Sequence, residues 1–405
     1  MKATFFPAGA VFVLLLIQPL AVGARDFVTI KSGDWFDPTV WAPTPYPFDG
    51  DNATIATNAV NLYFYNNLLI QLNNLNLSNG TLTIFNMGGQ GGLMMLGGES
   101  YWANSSVSHF PGRNANVQTI SQFGTLLLME SNQLNVLLGF TNHGIVRQID
   151  PGTLHLHGSA FVVNCPEAVY DFADDGGIVG DSGSTFTNRG TVLKSGGVNT
   201  STVALEFINS GGTIEVDSGT LTIQFNLLSS NGTFVVRRGA ALDPFYGFWS
   251  GKITGCGAGK VVLRNGTLYA SPSLTLDFSD SLFQWISGTI MGSSGGLTNL
   301  GGITLSGGNS VSLTGLVNGG IFRHSNTASL NLSQIFENLS GGIYDAEDSG
   351  QFNGGTFVNF GMFRRSSGSG VFSMMPRNFY NYGGTIEADS GTLNFGSAGF
   401  FQTNG

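Results

Sequence analysis

Charged side chains are scarce in this chain of 405 residues, where they make up only 10% of the sequence. The formal net charge is −9, and the 16 lysines and arginines form no basic run. A protein that binds nucleic acid or an anionic membrane surface needs such a basic patch. The composition therefore excludes nucleic acid as a partner. It also excludes a highly charged disordered chain, because 41% of the residues are hydrophobic and 32 are Phe.

Long apolar runs are equally scarce. The one clear run, Val11–Ile17, follows Lys2 and precedes the small residues Val22-Gly23-Ala24. This order is typical of a signal peptide over residues 1–24, and the run is too short to span a bilayer comfortably. No later segment is long enough to do so. We therefore expect a secreted mature chain, extracellular or at the cell surface, with no transmembrane segment.

Glycine, by contrast, is abundant, at 60 residues, and it marks a repeated phrase. The chain reads GGTIEVDSGTLTI at Gly211–Ile223 and GGTIEADSGTLNF at Gly383–Phe395, 172 residues later. Apolar and polar residues alternate on both sides of Asp-Ser-Gly, which is turn chemistry. Each copy therefore predicts two short strands joined by a turn.

A second marker, F-x-N followed by glycine, recurs through the chain and sets its period. With related N-G turns, the steps from Asn188 are 21, 22, 34, 34, 19, 20, 21, 22 and 23 residues. A period of 20–23 residues with internal alternation is typical of a solenoid built from strands. We expect stacked phenylalanines and a buried asparagine ladder. The predicted ladder residues are Phe140, Asn142, Phe186, Asn188, Phe207, Asn209, Phe336, Asn338, Phe357, Asn359, Phe379 and Asn381.

The predicted fold class is therefore all-β, a right-handed parallel β-helix with about 20–23 residues per rung and roughly sixteen rungs. The repeated phrase is expected at the same corner, about eight rungs apart. The steps of 34 predict a bulging corner or an additional strand covered by Trp249 or Trp285. Residues 25–60 are interpreted as an N-terminal cap in which Trp35 and Trp41 cover the open end. Residues 61–405 form the solenoid, which we expect to continue beyond the C-terminus.

These phrases are similar to those of a known group of proteins. The segment Ser32–Ile55, SGDWFDPTVWAPTPYPFDGDNATI, resembles the start of many secreted, autotransporter-like repeat proteins of bacteria. The phrases W-x-S-G-x-I-x-G and N-x-G-T-I-E-x-x-S-G-T-L resemble the body of the same proteins. The resemblance implies a parallel β-helix displayed outside the cell, adhesive or scaffolding in role, with no assigned chemistry in most members.

Candidate chemistry is thin. The densest acidic cluster is Asp171, Asp174, Asp175 and Asp181, in a stretch interpreted as irregular. Paired carboxylates are what a polysaccharide lyase or hydrolase would need, so the first three are the catalytic candidates if the protein is an enzyme. We interpret the cluster instead as an acidic surface loop, and expect no catalytic residue.

His155 and His157 would lie on one face of a strand, as half of a metal site. We interpret them as outward residues of that strand, with a site that includes Asp181 as the alternative. No cofactor is expected. Cys165 and Cys256 are separated by 91 residues, or about four rungs, so a disulfide between them is not expected.

The function predicted from the sequence is a secreted or cell-surface solenoid that is structural or adhesive and not catalytic. We expect it to bind a carbohydrate or a cell-surface ligand through a long side face and through loops at residues 86–116 and 164–184. The alternative is a polysaccharide-active enzyme on the same scaffold. Stacking on carbohydrate is the alternative role for Trp35 and Trp41.

Overall fold

In a computed structural model the protein is an all-β solenoid of about 16 turns, and the described residues contain no helix. The description covers residues 23–64, 68–86, 92–110, 118–131, 133–137, 139–292, 296–396 and 399–403. The predicted signal peptide lies outside them except for its last two residues. The predicted parallel solenoid is confirmed. The described residues contain 48 strands, numbered in chain order, and all except β3 stack into three faces. From β4 onward the chain passes from face 1 to face 2 to face 3 in each turn.

Face 1 is built from strands that pair in parallel with the strand one turn away. They are β1 (Asp26–Thr29), β4 (Asn52–Ala56), β7 (Asn74–Ser78), β10 (Glu99–Ala103), β13 (Thr125–Met129), β16 (Ile145–Gln148), β19 (Val169–Phe172), β22 (Thr191–Lys194), β25 (Thr213–Val216), β27 (Thr233–Val236), β33 (Leu297–Asn299), β36 (Leu316–Asn318), β39 (Ile335–Asn338), β42 (Thr356–Asn359), β45 (Asn378–Tyr382) and β48 (Gly399–Thr403).

Face 2 follows the same rule. Its strands are β2 (Gly33–Asp34), β5 (Ala59–Phe64), β8 (Thr81–Asn86), β11 (Ser106–Phe110), β14 (Gln133–Leu137), β17 (Thr153–Leu156), β20 (Gly177–Gly180), β23 (Thr200–Ala204), β29 (Lys260–Leu263), β31 (Phe283–Trp285), β34 (Gly302–Leu305), β37 (Ile321–His324), β40 (Ile343–Ala346), β43 (Met362–Arg365) and β46 (Thr385–Ala388).

Face 3 completes the turn. Its strands are β6 (Leu69–Leu72), β9 (Leu93–Leu96), β12 (Gln118–Gln122), β15 (Gly139–Asn142), β18 (Phe161–Asn164), β21 (Thr185–Asn188), β24 (Glu206–Ser210), β32 (Thr289–Gly292), β35 (Val311–Leu313), β38 (Ser329–Leu332), β41 (Gln351–Asn353), β44 (Val371–Met375) and β47 (Thr392–Phe395). Three long strands run through corners and serve more than one face: β26 (Thr220–Ser230), β28 (Ala241–Cys256) and β30 (Thr267–Phe278).

Alternation along each strand places every second side chain inside. In β25, Ile214 and Val216 are fully buried while Thr213 and Glu215 face outward. Because neighbouring turns pair in register, like side chains stack in the core. Phe357 and Phe379 stack with ring centres 5.1 Å apart, and Phe186 and Phe207 stack at 5.2 Å. The core is therefore a continuous apolar column that runs the length of the stack.

The asparagines form two ladders, each at a corner where a strand ends. Asn142, Asn164 and Asn188 end strands of face 3, and Asn209 is the second-last residue of β24. Each of the first three side-chain amides donates to the carbonyl oxygen of the next Asn at 2.8 Å. Asn164 occupies the turn that the F-x-N pattern left unmarked. The second ladder ends strands of face 1 with amide distances of 2.7–2.8 Å, and its members are Asn299, Asn318, Asn338, Asn359 and Asn381.

The ladders stand at different corners, and this corrects the prediction for the repeated phrase. In the first copy the T-I-E-V strand is β25 on face 1, whereas in the second copy the T-I-E-A strand is β46 on face 2. The two copies are eight turns and one face apart. The prediction of one shared corner is wrong because all three faces have the same alternation, so the phrase fits any of them.

The steps of 34 residues have the same cause. They lead from Asn231 to Asn265 and from Asn265 to Asn299, and each step crosses five strand segments, which is one turn and two further faces. The second step does contain a bulging corner: Trp249 pairs with Ala270 and Gly251 with Leu274, so Ser271–Ser273 lie opposite Ser250 alone. The described residues show no additional strand at these steps, and their length comes from the change of face and not from the bulge. Trp249 and Trp285 lie in the core and are almost completely buried.

The predicted binding loops are also corrected. Residues 86–116 contain the regular strands β9, β10 and β11, although residues 87–91 and 111–117 lie outside the description. Residues 164–184 contain β19 and β20 and form an ordinary turn of the stack. Strands here were missed because the Gly-rich and Asp-rich composition was interpreted as loop.

The N-terminal end has a different local structure. β3 (Trp41–Ala42) pairs antiparallel with β1, on the edge of β1 that faces away from β4. Trp35 and Trp41 are fully buried, with ring centres 4.9 Å apart, and the Trp41 indole N–H donates to the Trp35 carbonyl oxygen at 2.8 Å. β3 and the two tryptophans thus cover the first strand of the stack. β4 and the first two residues of β5 lie inside residues 25–60, and both strands already pair with the next turn.

Replacement of one ladder asparagine should destabilise the stack. Asn338→Ala removes the partner of the Asn318 amide, and it removes the side-chain donor to the carbonyl oxygens of Gly342 and Met362. We expect the free energy of unfolding to fall by about 3 kcal/mol, the upper end of the range for buried groups left unsatisfied. Urea denaturation measures this, with Asn394→Ala, at an exposed position, as the control. Equal midpoints for the two variants would contradict the ladder's structural role.

A buried histidine should make the stability depend on pH. His324 is fully buried: its Nε2–H donates to the Ala328 carbonyl oxygen, and Nδ1 accepts from the Tyr344 hydroxyl, both at 2.9 Å. Burial lowers the pKa of His324 to about 4 from 6.5. The folded state therefore excludes a proton that the unfolded chain binds, so stability should fall by about 3 kcal/mol as the pH drops from 6.5 to 4. His324→Gln should flatten this part of the unfolding profile, whereas an unchanged slope would assign the effect to other groups.

Candidate functional site

A groove of about 660 Å³ opens at the corner between faces 2 and 3. It begins where β20 ends and extends over the following two turns. Its lining comes from residues 180–185, 204–206 and 225–226. Two carboxylates, Asp181 and Glu206, and one exposed ring, Phe225, are part of this lining. The groove therefore combines hydrogen-bond acceptors with an apolar surface, a combination found in ligand sites.

Asp181 also belongs to a compact cluster with His155 and His157. His155 Nε2 lies 3.1 Å from Asp181 Oδ1, and His157 Nδ1 lies 3.2 Å from Asp181 Oδ2. The two imidazole ring centres are 3.7 Å apart. β17 carries His155, His157 directly follows β17, and Asp181 directly follows β20. Because β17 pairs with β20, the cluster joins two successive turns. Within the described residues, the structure thus brings together all three residues of the alternative metal site.

The turn before contributes two amide side chains. Gln133 Nε2 lies 2.8 Å from His155 Nδ1, and Asn135 Oδ1 lies 2.8 Å from His157 Nε2. Gln133 Nε2 also donates to Asn135 Oδ1 at 2.6 Å, which orients both amides. Asn135 Oδ1 can only accept, so the His157 ring must donate through Nε2–H. Each imidazole is therefore held from both sides.

The carboxylate of the cluster is held as an anion. The Gly158 backbone N–H donates to Asp181 Oδ2 at 3.0 Å. This bond, together with the bonds to the two histidines, holds the pKa of Asp181 below its usual range. A low pKa means that Asp181 stays ionised at neutral pH, so it is a ligand or acceptor and not a general acid.

Exposed aromatic rings continue the groove along the stack. Phe225 is 60% exposed and Phe245, one turn later, is 47% exposed. Phe248 and Tyr269 stack with ring centres 4.7 Å apart, and Tyr246 meets both rings edge-on. We call these five residues the aromatic strip. Exposed apolar surface of this kind is typical of an interaction site.

The carboxylates Asp171, Asp174 and Asp175 do not converge on one centre. Asp171 forms an ion pair with Arg147 at 2.9 Å across two turns of face 1. Asp174 accepts the backbone N–H of Asp175 at 2.8 Å. Asp175 is 3.0 Å from the ammonium of Lys194, which is fully buried. Each of the three is therefore engaged in a local structural contact.

Lys194 explains why Asp175 lies where it does. The ammonium is surrounded by four oxygen acceptors, from Asp174, Asp175, Gly196 and Ser201, at 2.9–3.3 Å. Burial raises the pKa of Asp175, but the bonds from Lys194 and Asn199 outweigh it, and the pKa lies below its usual range. The ion pair of Lys194 and Asp175 lies at the corner between faces 1 and 2. These contacts argue against a catalytic pair of carboxylates in this cluster.

The structure also bears on two other predictions from the sequence, one about two tryptophans and one about the two cysteines. Trp35 and Trp41 are fully buried, so their alternative role in stacking on carbohydrate is wrong. Cys165 and Cys256 are both free, as expected from their separation.

Sequence reasoning missed Gln133, Asn135, Glu206 and Phe225, which lie on turns before and after the histidines. The separations in the cluster are 22 residues from Gln133 to His155 and from Asn135 to His157, and 24 from His157 to Asp181. These equal one turn of the predicted period. A search one period either side of His155 could therefore have found the cluster, whereas the exposed phenylalanines have no signal that separates them from core phenylalanines.

Comparison with known proteins gives no relative. No protein-family profile, no curated protein and no solved structure matches the chain significantly. The resemblance to secreted bacterial repeat proteins thus stays a prediction. Among the described residues, no helix is long and apolar enough to cross a membrane.

A substitution at Asp175 separates a structural role from a catalytic one. Asp175→Ala leaves a buried ammonium without its counter-ion, so we expect the free energy of unfolding to fall by about 3 kcal/mol. Asp217→Ala, which removes one of the two carboxylates paired with the exposed Arg237, should cost less than about 1 kcal/mol. Thermal and urea unfolding of both variants measure the difference. A stable Asp175→Ala variant would return this residue to the catalytic candidates.

Proposed function

We propose that the protein is a secreted or cell-surface solenoid that binds an extended carbohydrate without cleaving it. The observation that carries the proposal is the aromatic strip together with the groove into which it leads. Exposed aromatic rings present flat apolar surfaces with little conformational entropy to lose. The apolar face of a sugar ring fits such a surface, and its hydroxyl groups can donate to Asp181 and Glu206.

The geometry of the stack supports an extended ligand. Successive turns are about 4.8 Å apart, so side chains at one corner recur at that spacing. This is close to the length of one sugar unit in an extended polysaccharide. The groove and the strip together extend from the turn of Asp181 to the turn of Tyr269. A linear chain can therefore lie along the corner and contact several turns at once.

The rival function, a polysaccharide lyase or hydrolase, has less support. The carboxylates first considered for catalysis are engaged with Arg147, with Lys194 or with the backbone. The proposal that the protein is secreted rests on the signal-like segment of the sequence. The proposal that it is adhesive rests on the resemblance to secreted bacterial repeat proteins.

The first test measures binding and cleavage together. The protein is incubated with a panel of insoluble polysaccharides and with whole cells, and both retained protein and newly released sugar ends are measured. We expect retention on at least one polysaccharide without release. Release of sugar ends would overturn the non-catalytic part of the proposal. Failure to bind any polysaccharide of a broad panel would contradict the proposal that the ligand is a carbohydrate.

The strip can be tested with matched variants. The double variant Phe225→Ala/Phe245→Ala should weaken retention by about tenfold or more, because exposed aromatic anchors carry a large share of binding energy. The control is Phe123→Ala/Phe360→Ala, which removes two exposed phenylalanines outside the strip, with exposed fractions of 45% and 38%. Equal loss in both variants would place the binding surface elsewhere.

A further inference from the structure

The cluster of His155, His157 and Asp181 contains a contact that neutral side chains do not explain. Asn135 Oδ1 fixes the proton of a neutral His157 ring on Nε2. The lone pair of His157 Nδ1 would then face the lone pairs of Asp181 Oδ2 at 3.2 Å. Such a contact is repulsive, so a cation belongs between the two atoms. That cation is either a second proton on the ring or a metal ion.

The positions of the three ligand atoms fit a metal ion. One ring nitrogen of His155, one of His157 and a carboxylate oxygen of Asp181 all lie within 4.8 Å of one another. Zinc with bonds of about 2.0–2.1 Å in tetrahedral geometry holds its ligand atoms roughly 3.3 Å apart. The two nitrogen-to-oxygen distances, 3.1 Å to Oδ1 and 3.2 Å to Oδ2, are close to this value, and they reach the two different oxygens of one carboxylate. A shared ion therefore requires the side chains to rotate so that all three ligand atoms face one point.

The surroundings have the features of a metal site as well. A histidine bound to a metal usually donates its other ring N–H to an oxygen, which orients the ring. Asn135 Oδ1 provides that acceptor for His157 at 2.8 Å. For His155, the Gln133 amide lies 2.8 Å from Nδ1. Metal binding through Nε2 places the proton on Nδ1, so the Gln133 amide must turn away from Asn135 and give up its 2.6 Å bond to Asn135 Oδ1. The Gly158 N–H keeps the carboxylate in place from the opposite side.

We propose that His155 Nε2, His157 Nδ1 and the Asp181 carboxylate bind one divalent transition-metal ion, which joins two successive turns of face 2. Imidazole nitrogens favour zinc, copper, iron or nickel over calcium and magnesium. With three protein ligands, one coordination position stays open to water or to a ligand group. Since Asp181 also lines the groove, the ion lies beside it, but the proposal does not depend on carbohydrate binding.

The test uses zinc and cobalt(II) ions as probes on the full chain, produced without a polyhistidine tag and stripped with a chelator. Isothermal titration should show one zinc ion bound per chain. Cobalt(II) should give the visible absorption of a tetrahedral site. Asn135→Ala, which removes a positioning residue, should weaken zinc binding by about 10–100-fold. Asp181→Asn and His157→Ala remove ligands and should weaken it further.

Two controls keep the experiment interpretable. Asp217→Asn changes the same Asp-Ser-Gly turn at a corner that holds no histidine, and His143→Ala removes a histidine that stacks on Phe123. Both should bind zinc like the unmodified chain. Circular dichroism in chelator shows that each variant is folded before titration. Absence of zinc binding by the unmodified chain, or unchanged binding by Asp181→Asn and His157→Ala, would overturn the proposal and leave a protonated His157 as the cation.

Discussion

In-register pairing between turns is the constraint on which the structure depends. A turn of this solenoid cannot bury its apolar side chains alone, so each face must offer the next turn a matching surface. The pairing of Thr213–Val216 with Thr233–Val236 is one example, with Ile214 against Phe234 and Val216 against Val236 inside. A polar group at an inward position must then find its partner along the stack, since no water reaches it. The asparagine ladders satisfy this condition because each amide can donate to the next.

At three corners without a ladder, a single buried cation or imidazole provides the hydrogen-bond partner instead. Lys194 ends β22 and binds the oxygens of the corner that follows it. Arg365 ends β43 and donates to the carbonyl oxygens of Asp348 and Gly370, and His324 ends β37 and donates to Ala328. All three have no exposed surface. At these three corners, which lack a ladder, a donor at the last inward position of the strand bonds the carbonyl oxygens of the turn.

Periodicity in the sequence was sufficient to predict the class of fold and its period. Alternation in phrases such as T-I-E-V and the recurrence of Phe-x-Asn follow directly from stacking, so they are visible without a structure. The face on which a phrase lies was not predictable, because the inward pattern is the same on all three. Glycine-rich and aspartate-rich stretches were misinterpreted as loops for a related reason. Only every second residue of a strand must be apolar to fill the core, so a strand can contain many polar residues. Tyr170 and Ile178 are such buried residues in these stretches.

The candidate site was only partly visible. His155 and His157 stood out as a pair, but Asn135, Glu206 and Phe225 come from other turns and have no local signal. Phe225 illustrates the limit, because F-N occurs both there and at buried corners. Its exposure follows from where β26 passes through the corner between faces 2 and 3, with the apolar inward positions taken by Ile223 and Leu227. Such a position can be assigned only when the strands on both sides are known.

The displacement of the asparagine ladder from one corner to the next has a geometric consequence. Before Asn209 the ladder edge points in one direction from the long axis, and after Asn299 it points one third of a revolution away. The first ladder has four asparagines and the second has five, so a rigid partner aligned with the edge of one ladder faces a different corner where the other begins. The unit by which such a chain can lengthen or shorten is then a single face of about seven residues, and not a whole turn. Each insertion or deletion of that size rotates everything downstream while the core stays filled.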